Sequence, residues 1–129
     1  MMSSESVQPE VDARTLRAAS EHMTVIEEAQ ALFSVTTQSG SEYTVDLREG
    51  VCSCPDYTHR EPEGGCKHLR RTRIEVGQVD VDALEESLST QADDIHQNAA
   101  ELKQAAEELG ETATELENAV GRLREVAER

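Results

Sequence analysis

The strongest constraint on this chain is a quartet of side chains in the segment VCSCPDYTHREPEGGCKHLRR, residues 51–71. Cys52 and Cys54 form a C-x-C pair. Eleven residues later Cys66 and His68 form a C-x-H pair. These are all three cysteines of the chain. An odd cysteine count argues against a disulfide framework and for metal ligation or free thiols. Three thiolates and one imidazole make a closed tetrahedral zinc set. The bland alternative is three small buried cysteines and a surface histidine. Two short pairs flanking a turn-rich loop fit ligation better.

The spacing carries its own geometry. On a regular strand residues i and i+2 lie about 6–7 Å apart on one face. Zinc ligands lie only about 4 Å apart, so the chain must bend at Cys52–Cys54. Pro55 cannot continue a strand ladder and helps that bend. On a helix, i and i+2 point about 200° apart. Cys66 is therefore expected just before a helix, with His68 in its first turn. Gly64-Gly65 supply loose backbone for that entry. His59 is a substitute ligand or a solvated loop histidine, while His22 and His96 stand alone.

Composition explains why a metal is needed. Roughly a fifth of the chain is Val, Ile, Leu or Phe, at the border where a core fails to form. The aromatics are Phe33, Tyr43 and Tyr57, with no Trp. A large enzyme with a deep apolar pocket is not expected. A structural zinc contributes on the order of 10 kcal/mol in small zinc peptides. With all four positions filled by protein, no site is left for an activated water, which disfavours catalytic zinc. No nucleophile–base pairing is evident elsewhere, so the chain reads as a non-enzyme.

The chain divides into three parts. Residues 1–11 read as a disordered polar arm. Residues 12–79 form the zinc-binding domain. Asp12 caps a helix running to about Glu21, with Leu16 and Ala19 on one side. Met23 to Glu27 reads as a strand. Leu32 to Thr37 and Glu42 to Leu47 form a hairpin around Gln38-Ser39-Gly40-Ser41. A polar loop follows the first cysteine pair, and a helix runs from Cys66 to about Val76, stopped by Gly77. The expected fold class is α+β: a small ββα module, then a long C-terminal helix.

The hairpin followed by C-x-C and C-x-H, with the CSCPDY and GGCKHLRR segments, resembles the SWIM zinc finger. That family occurs in chromatin factors, transposases and partners of recombinase paralogues. The resemblance covers about residues 32–76 and implies a ββα module with ligands Cys52, Cys54, Cys66 and His68. Arg71 stands where the recombination-associated branch carries Ala. The resemblance implies binding of DNA or protein, without choosing between them.

Lys67, Arg70, Arg71 and Arg73 are the one cationic cluster of the chain. On a helix, Lys67, Arg70 and Arg71 share a face. They can meet nucleic-acid phosphates, or pair with acids such as Asp56, Glu61 and Glu63. With few aromatics, base stacking on single strands is weakly supported.

Residues 80–129 lack Pro, Cys and aromatics. Leu88, Ile95, Leu102, Leu109, Leu116 and Leu123 recur every seven residues. Ala92, Ala99, Ala106, Ala113, Val120 and Ala127 follow each by four. That is an a/d coiled-coil seam over about six heptads, some 60 Å long. Gly110 and Gly121 fall off the seam, and position g is small (Ala105, Thr112, Ala119). Ion pairs between e and g cannot fix a parallel dimer. An antiparallel pairing near Gly110 sets Ala106 against Leu116 and Lys103 near Glu117. The expectation is a homo-oligomer, with parallel pairing and hetero-association open beside the antiparallel one; a helix folded back on the module, or formed only with another partner, is the alternative.

Acidic side chains number 27 and basic ones 12, for a net charge of −15. Arg outnumbers Lys ten to two. This resembles proteins of extreme halophiles, whose self-repulsion high salt eases. Under that reading the negative charge says little against a nucleic-acid partner. The chain has no membrane-spanning stretch and no secretory leader, so the cytoplasm is expected. The expected function is an adaptor or regulator in DNA transactions or transcription, with direct DNA binding as the alternative and no small-molecule substrate.

Overall fold

The computed structural model describes residues 11–129. The arm expected over residues 1–11 lies, but for Val11, outside them. Asp12 caps helix α1 (Ala13–Ser20) by accepting from the Thr15 N–H at 2.9 Å. The face that α1 buries differs from the expected one. Thr15 and Ala18 are buried, whereas Leu16 and Ala19 are exposed. The reason is polar: arginines of a later helix bond to Thr15 Oγ1 and to the Ala18 carbonyl, so that face is drawn inward.

Four strands follow: β1 (Met23–Ala29), β2 (Leu32–Thr37), β3 (Glu42–Asp46) and β4 (Val51–Cys52). They form one antiparallel meander in the order β1-β2-β3-β4. The expected β2–β3 hairpin is present, with Phe33 opposite Val45 and Val35 opposite Tyr43. β1 runs two residues further than its apolar pattern reached and pairs with β2 through a bulge. Its turn holds Ala31 at φ 63°, in the left-handed region. The Ala31 carbonyl is anchored there by the Leu47 N–H at 2.9 Å.

Helix α2 (Pro55–Arg60) occupies the stretch read as loop. PDYTHR has no apolar period to announce a helix; Pro at its start and a capping sulfur set it. Helix α3 (Lys67–Glu75) matches the expected start after Cys66, and α4 (Val81–Ala127) is one helix of 47 residues. The chain divides into two compact units, one ending at Leu88 and one from Ser89 to Arg129. No helix among the described residues is long and apolar enough to cross a membrane.

The sheet buries one face. Met23, Phe33, Val35 and Val45 meet Leu69 of α3, with Val25, Tyr43, Leu47 and Tyr57 packed at the margin. Cys52, Cys54 and Cys66 complete the same cluster. Sulfur thus fills part of the volume that larger apolar side chains take in an ordinary domain of this size. Leu84, in the first turn of α4, is also buried.

Candidate metal centre

Each element delivers its donor in a defined way. Cys52 ends β4. Ser53 stays on the ladder, exchanging hydrogen bonds with Thr44 through its N–H (3.0 Å) and its hydroxyl (2.9 Å). The chain then turns into α2, whose N-cap is Cys54. Its sulfur accepts from the Tyr57 N–H at 3.4 Å. The bend that the C-x-C spacing demands is therefore the start of a helix. Cys66 is the N-cap of α3, and His68 lies in its first turn. Gly64 and Gly65 precede it at φ 85° and 93°. A Cβ on Gly65 would meet Leu69 Cβ and Cδ1 at 3.1 Å, so this glycine admits both the turn and the core leucine.

The four donors converge. Cys52 Sγ, Cys54 Sγ, Cys66 Sγ and a His68 ring nitrogen all lie within 4.8 Å of one another, and all four residues are buried. His68 Nδ1 is 3.9 Å from Cys52 Sγ and 3.8 Å from Cys66 Sγ. With metal bonds of ~2.3 Å to sulfur and ~2.0 Å to nitrogen, a tetrahedron has an S···N edge of about 3.6 Å. Those two edges are within a few tenths of an ångström of that, and the widest separation in the set is at most 4.8 Å. Three sulfurs this close cannot all ionise without a cation. The Cys66 thiol is drawn down because Cys52 donates to it, against burial. Cys52 is pushed up by the same bond and by burial, and Cys54 chiefly by burial. A metal ion would supply the missing positive charge, and soft sulfur and imidazole donors suit a transition metal over calcium or magnesium.

A metal held at His68 Nδ1 would leave Nε2 as the outward ring nitrogen. That atom is buried and has no hydrogen-bond partner among the described residues. The Tyr43 ring packs against the imidazole, centroids 4.7 Å apart. His59 is exposed on α2, and His22 and His96 are also exposed.

The basic residues next to the site are differently employed. Arg70 donates to Asp12 Oδ1 (2.7 Å), Thr15 Oγ1 (2.8 Å), and the carbonyls of Gly65 (2.8 Å) and Glu63 (2.9 Å). Its side chain is only 13% exposed. Arg71 pairs with Glu75 (2.8 Å) and caps the end of α1 through the carbonyls of Ala18 and Glu21. Lys67 pairs with Glu21, and Arg73 donates to the Gly64 carbonyl at 2.9 Å. The counter-charges are thus Asp12, Glu21 and Glu75, in place of the expected Asp56, Glu61 and Glu63. Asp56 instead takes a two-bond fork from Arg14 (2.8 and 2.9 Å) and a third contact from Arg60. These bonds strap α1 to α2 and α3, the two helices whose N-caps are Cys54 and Cys66. Chain reading missed that strap because α1 and its arginine partners lie more than 40 residues apart.

The oligomerisation residues fall into two groups. Ile95, Leu102, Leu109, Leu116 and Leu123 are exposed on α4. Leu88 is half-buried and belongs to the first unit. Comparison of the chain with protein-family models, curated proteins and solved structures finds no match.

Proposed function

We propose that this chain is a non-catalytic zinc-binding module of the SWIM type, acting as an oligomeric adaptor in DNA transactions or transcription. The observation that carries this reading is the convergence of four buried protein donors, Cys52, Cys54, Cys66 and His68. Three sulfurs and one imidazole nitrogen leave no position for water or substrate, which is the structural type of zinc site. The C-x-C and C-x-H pairs, set after a hairpin and at the head of a helix, support the SWIM assignment. Zinc here fixes the approach of β4, α2 and α3 and thereby shapes the surface around them.

Between protein and DNA as partner, the bonding of the arginines favours protein. Arg70 and Arg71 spend their donors on Asp12, Glu75 and five backbone carbonyls, and so offer little to phosphates. The test is native-salt affinity purification with nuclease treatment, with metal measured by mass spectrometry. One zinc per chain and a defined protein co-purifying after nuclease support the reading. Substoichiometric zinc overturns the module. Duplex DNA retained with a steep salt dependence, and no protein, overturns the adaptor.

A further inference from the structure

From Ser89 onward every residue of the chain is exposed. Ile95, Leu102, Leu109, Leu116 and Leu123, each seven residues after the last, are 60% to 72% exposed. Ala99, Ala106, Ala113 and Val120 complete one stripe. A strict seven-residue apolar repeat is what helices bury against one another. Deepening the oligomeric part of the function above, on which it rests, we propose that a second copy of the chain covers this seam. Its α4 runs antiparallel, with Ala106 opposite the partner's Leu116 and Ala99 opposite the partner's Leu123.

Three features select that orientation. The first is the unequal charge of the two end segments of α4. Asp82, Glu85, Glu86, Asp93, Asp94 and Glu101 crowd residues 81–102, where no Lys or Arg occurs. Arg122, Arg124 and Arg129 lie at the other end, against Glu125 and Glu128, with Arg122 3.6 Å from Glu125. A parallel pair stacks acid beside acid. An antiparallel pair brings the arginines into the stretch of Asp93, Asp94 and Glu101. The second is the flank of the seam. In an antiparallel pair, e positions face e positions, so Lys103 meets the partner's Glu117, twice by symmetry. In a parallel pair they face g positions, where Asn98 and Thr112 offer no charge. The third is Gly110. Helix interiors disfavour glycine, and nothing in its own chain lies within 4 Å of a Cβ built there. In this register Gly110 faces its own copy across the two-fold axis on one flank of the seam, and Ala105, Thr112 and Ala119 line the other flank. Small residues there let the backbones approach. The dimer carries two copies of the Cys/His module, one per chain.

The test uses the full zinc-loaded chain in about 0.1 M salt, where charges are not fully screened. Sedimentation equilibrium compares wild type, Lys103→Glu, Glu117→Lys and an equal mixture of the two variants. Wild type should be a dimer. Each variant alone sets like charges together twice and should dimerise roughly five- to tenfold more weakly. The mixture should regain wild-type affinity, since every mixed pair restores opposite charges at 103 and 117. Glu117→Lys lowers the net negative charge, so a general charge effect would strengthen its dimer; only the register predicts weakening. Energy transfer between C-terminal labels gives a second readout. In the antiparallel pair residue 127 lies opposite the partner's residue 95, so the C-termini are about 48 Å apart along the axis at 1.5 Å per residue. Monomers at all concentrations, an unweakened Glu117→Lys dimer, or near-complete transfer between C-terminal labels overturns the proposal. Zinc content is read on the same samples; its loss with the dimer intact counts against the zinc module and leaves this proposal standing.

Discussion

Removing the metal should unfold the first unit and leave α4 helical. Apart from its cysteines, the core cluster consists of Met23, Phe33, Val35, Val45 and Leu69. At about 1.5–3 kcal/mol for each buried side chain, those five contribute on the order of 10 kcal/mol of gross burial. A structural zinc contributes about 10–16 kcal/mol in small zinc peptides. Net domain stabilities are only about 5–15 kcal/mol. Loss of the ion therefore removes as much as the whole domain has to spare, and it also leaves three crowded sulfurs without a counter-charge. The assay must look past α4, whose 47 helical residues dominate far-ultraviolet circular dichroism. Tyrosine emission does so. The chain has two tyrosines and no Trp. Tyr43 and Tyr57 both pack at the core margin of the first unit, Tyr43 on His68. Titrating a strong chelator should change tyrosine emission in one cooperative step. It should also collapse amide-exchange protection at Val35 and Val45, and readdition of zinc should restore both. Unchanged emission and protection after verified metal removal would refute the argument that a metal replaces apolar bulk.

Three further outcomes follow from named contacts. Arg70→Ala strands the Gly65 and Glu63 carbonyls and unpairs Asp12, and should cost about 2–4 kcal/mol in a urea melt, against about 1 kcal/mol for Arg73→Ala. Gly65→Ala combines a left-handed φ with a clash on Leu69 and should cost about 2–4 kcal/mol. Gly40→Ala has a similar φ and open space around it, and should cost about 1 kcal/mol. Acid should act through the strap. Asp12 is held down to about 2, first by the Thr15 N–H and then by Arg70, and Asp56 is held low chiefly by Arg14. Both folded values lie below the unfolded one of about 3.9. Their contribution is therefore present above about pH 4 and is lost as pH falls towards 2. Asp12→Asn keeps a capping side chain without the charge. In urea melts the gap between it and wild type should be constant from pH 7 to 5 and shrink below 4; a gap that widens with acid would contradict this.

The donor set was legible in the chain because its information is local. Two pairs at i, i+2 with glycines before the second already require a bend and a helix start, and Cys54 and Cys66 both prove to be N-caps. The β2–β3 hairpin was legible for the same reason: alternation at Phe33 and Val35 and a polar turn are properties of neighbours. The length of α4 follows from a repeat that never slips. Other features depend on residues far apart in sequence. Arg70 reads as a surface cation until Asp12, 58 positions away, is brought within 2.7 Å of it. Leu16 reads as the buried side of α1 until Arg70 and Arg71 draw in Thr15 and Ala18 instead. α2 carries no apolar stripe, so only the turn out of β4 marks it. What the residues alone determined was chemistry and local geometry, because bonding capacity and short-range sterics travel with the residue type. What the tertiary structure decided was employment: which charges face solvent and which are spent inside, because a guanidinium bonds to whatever acceptors the fold carries to it.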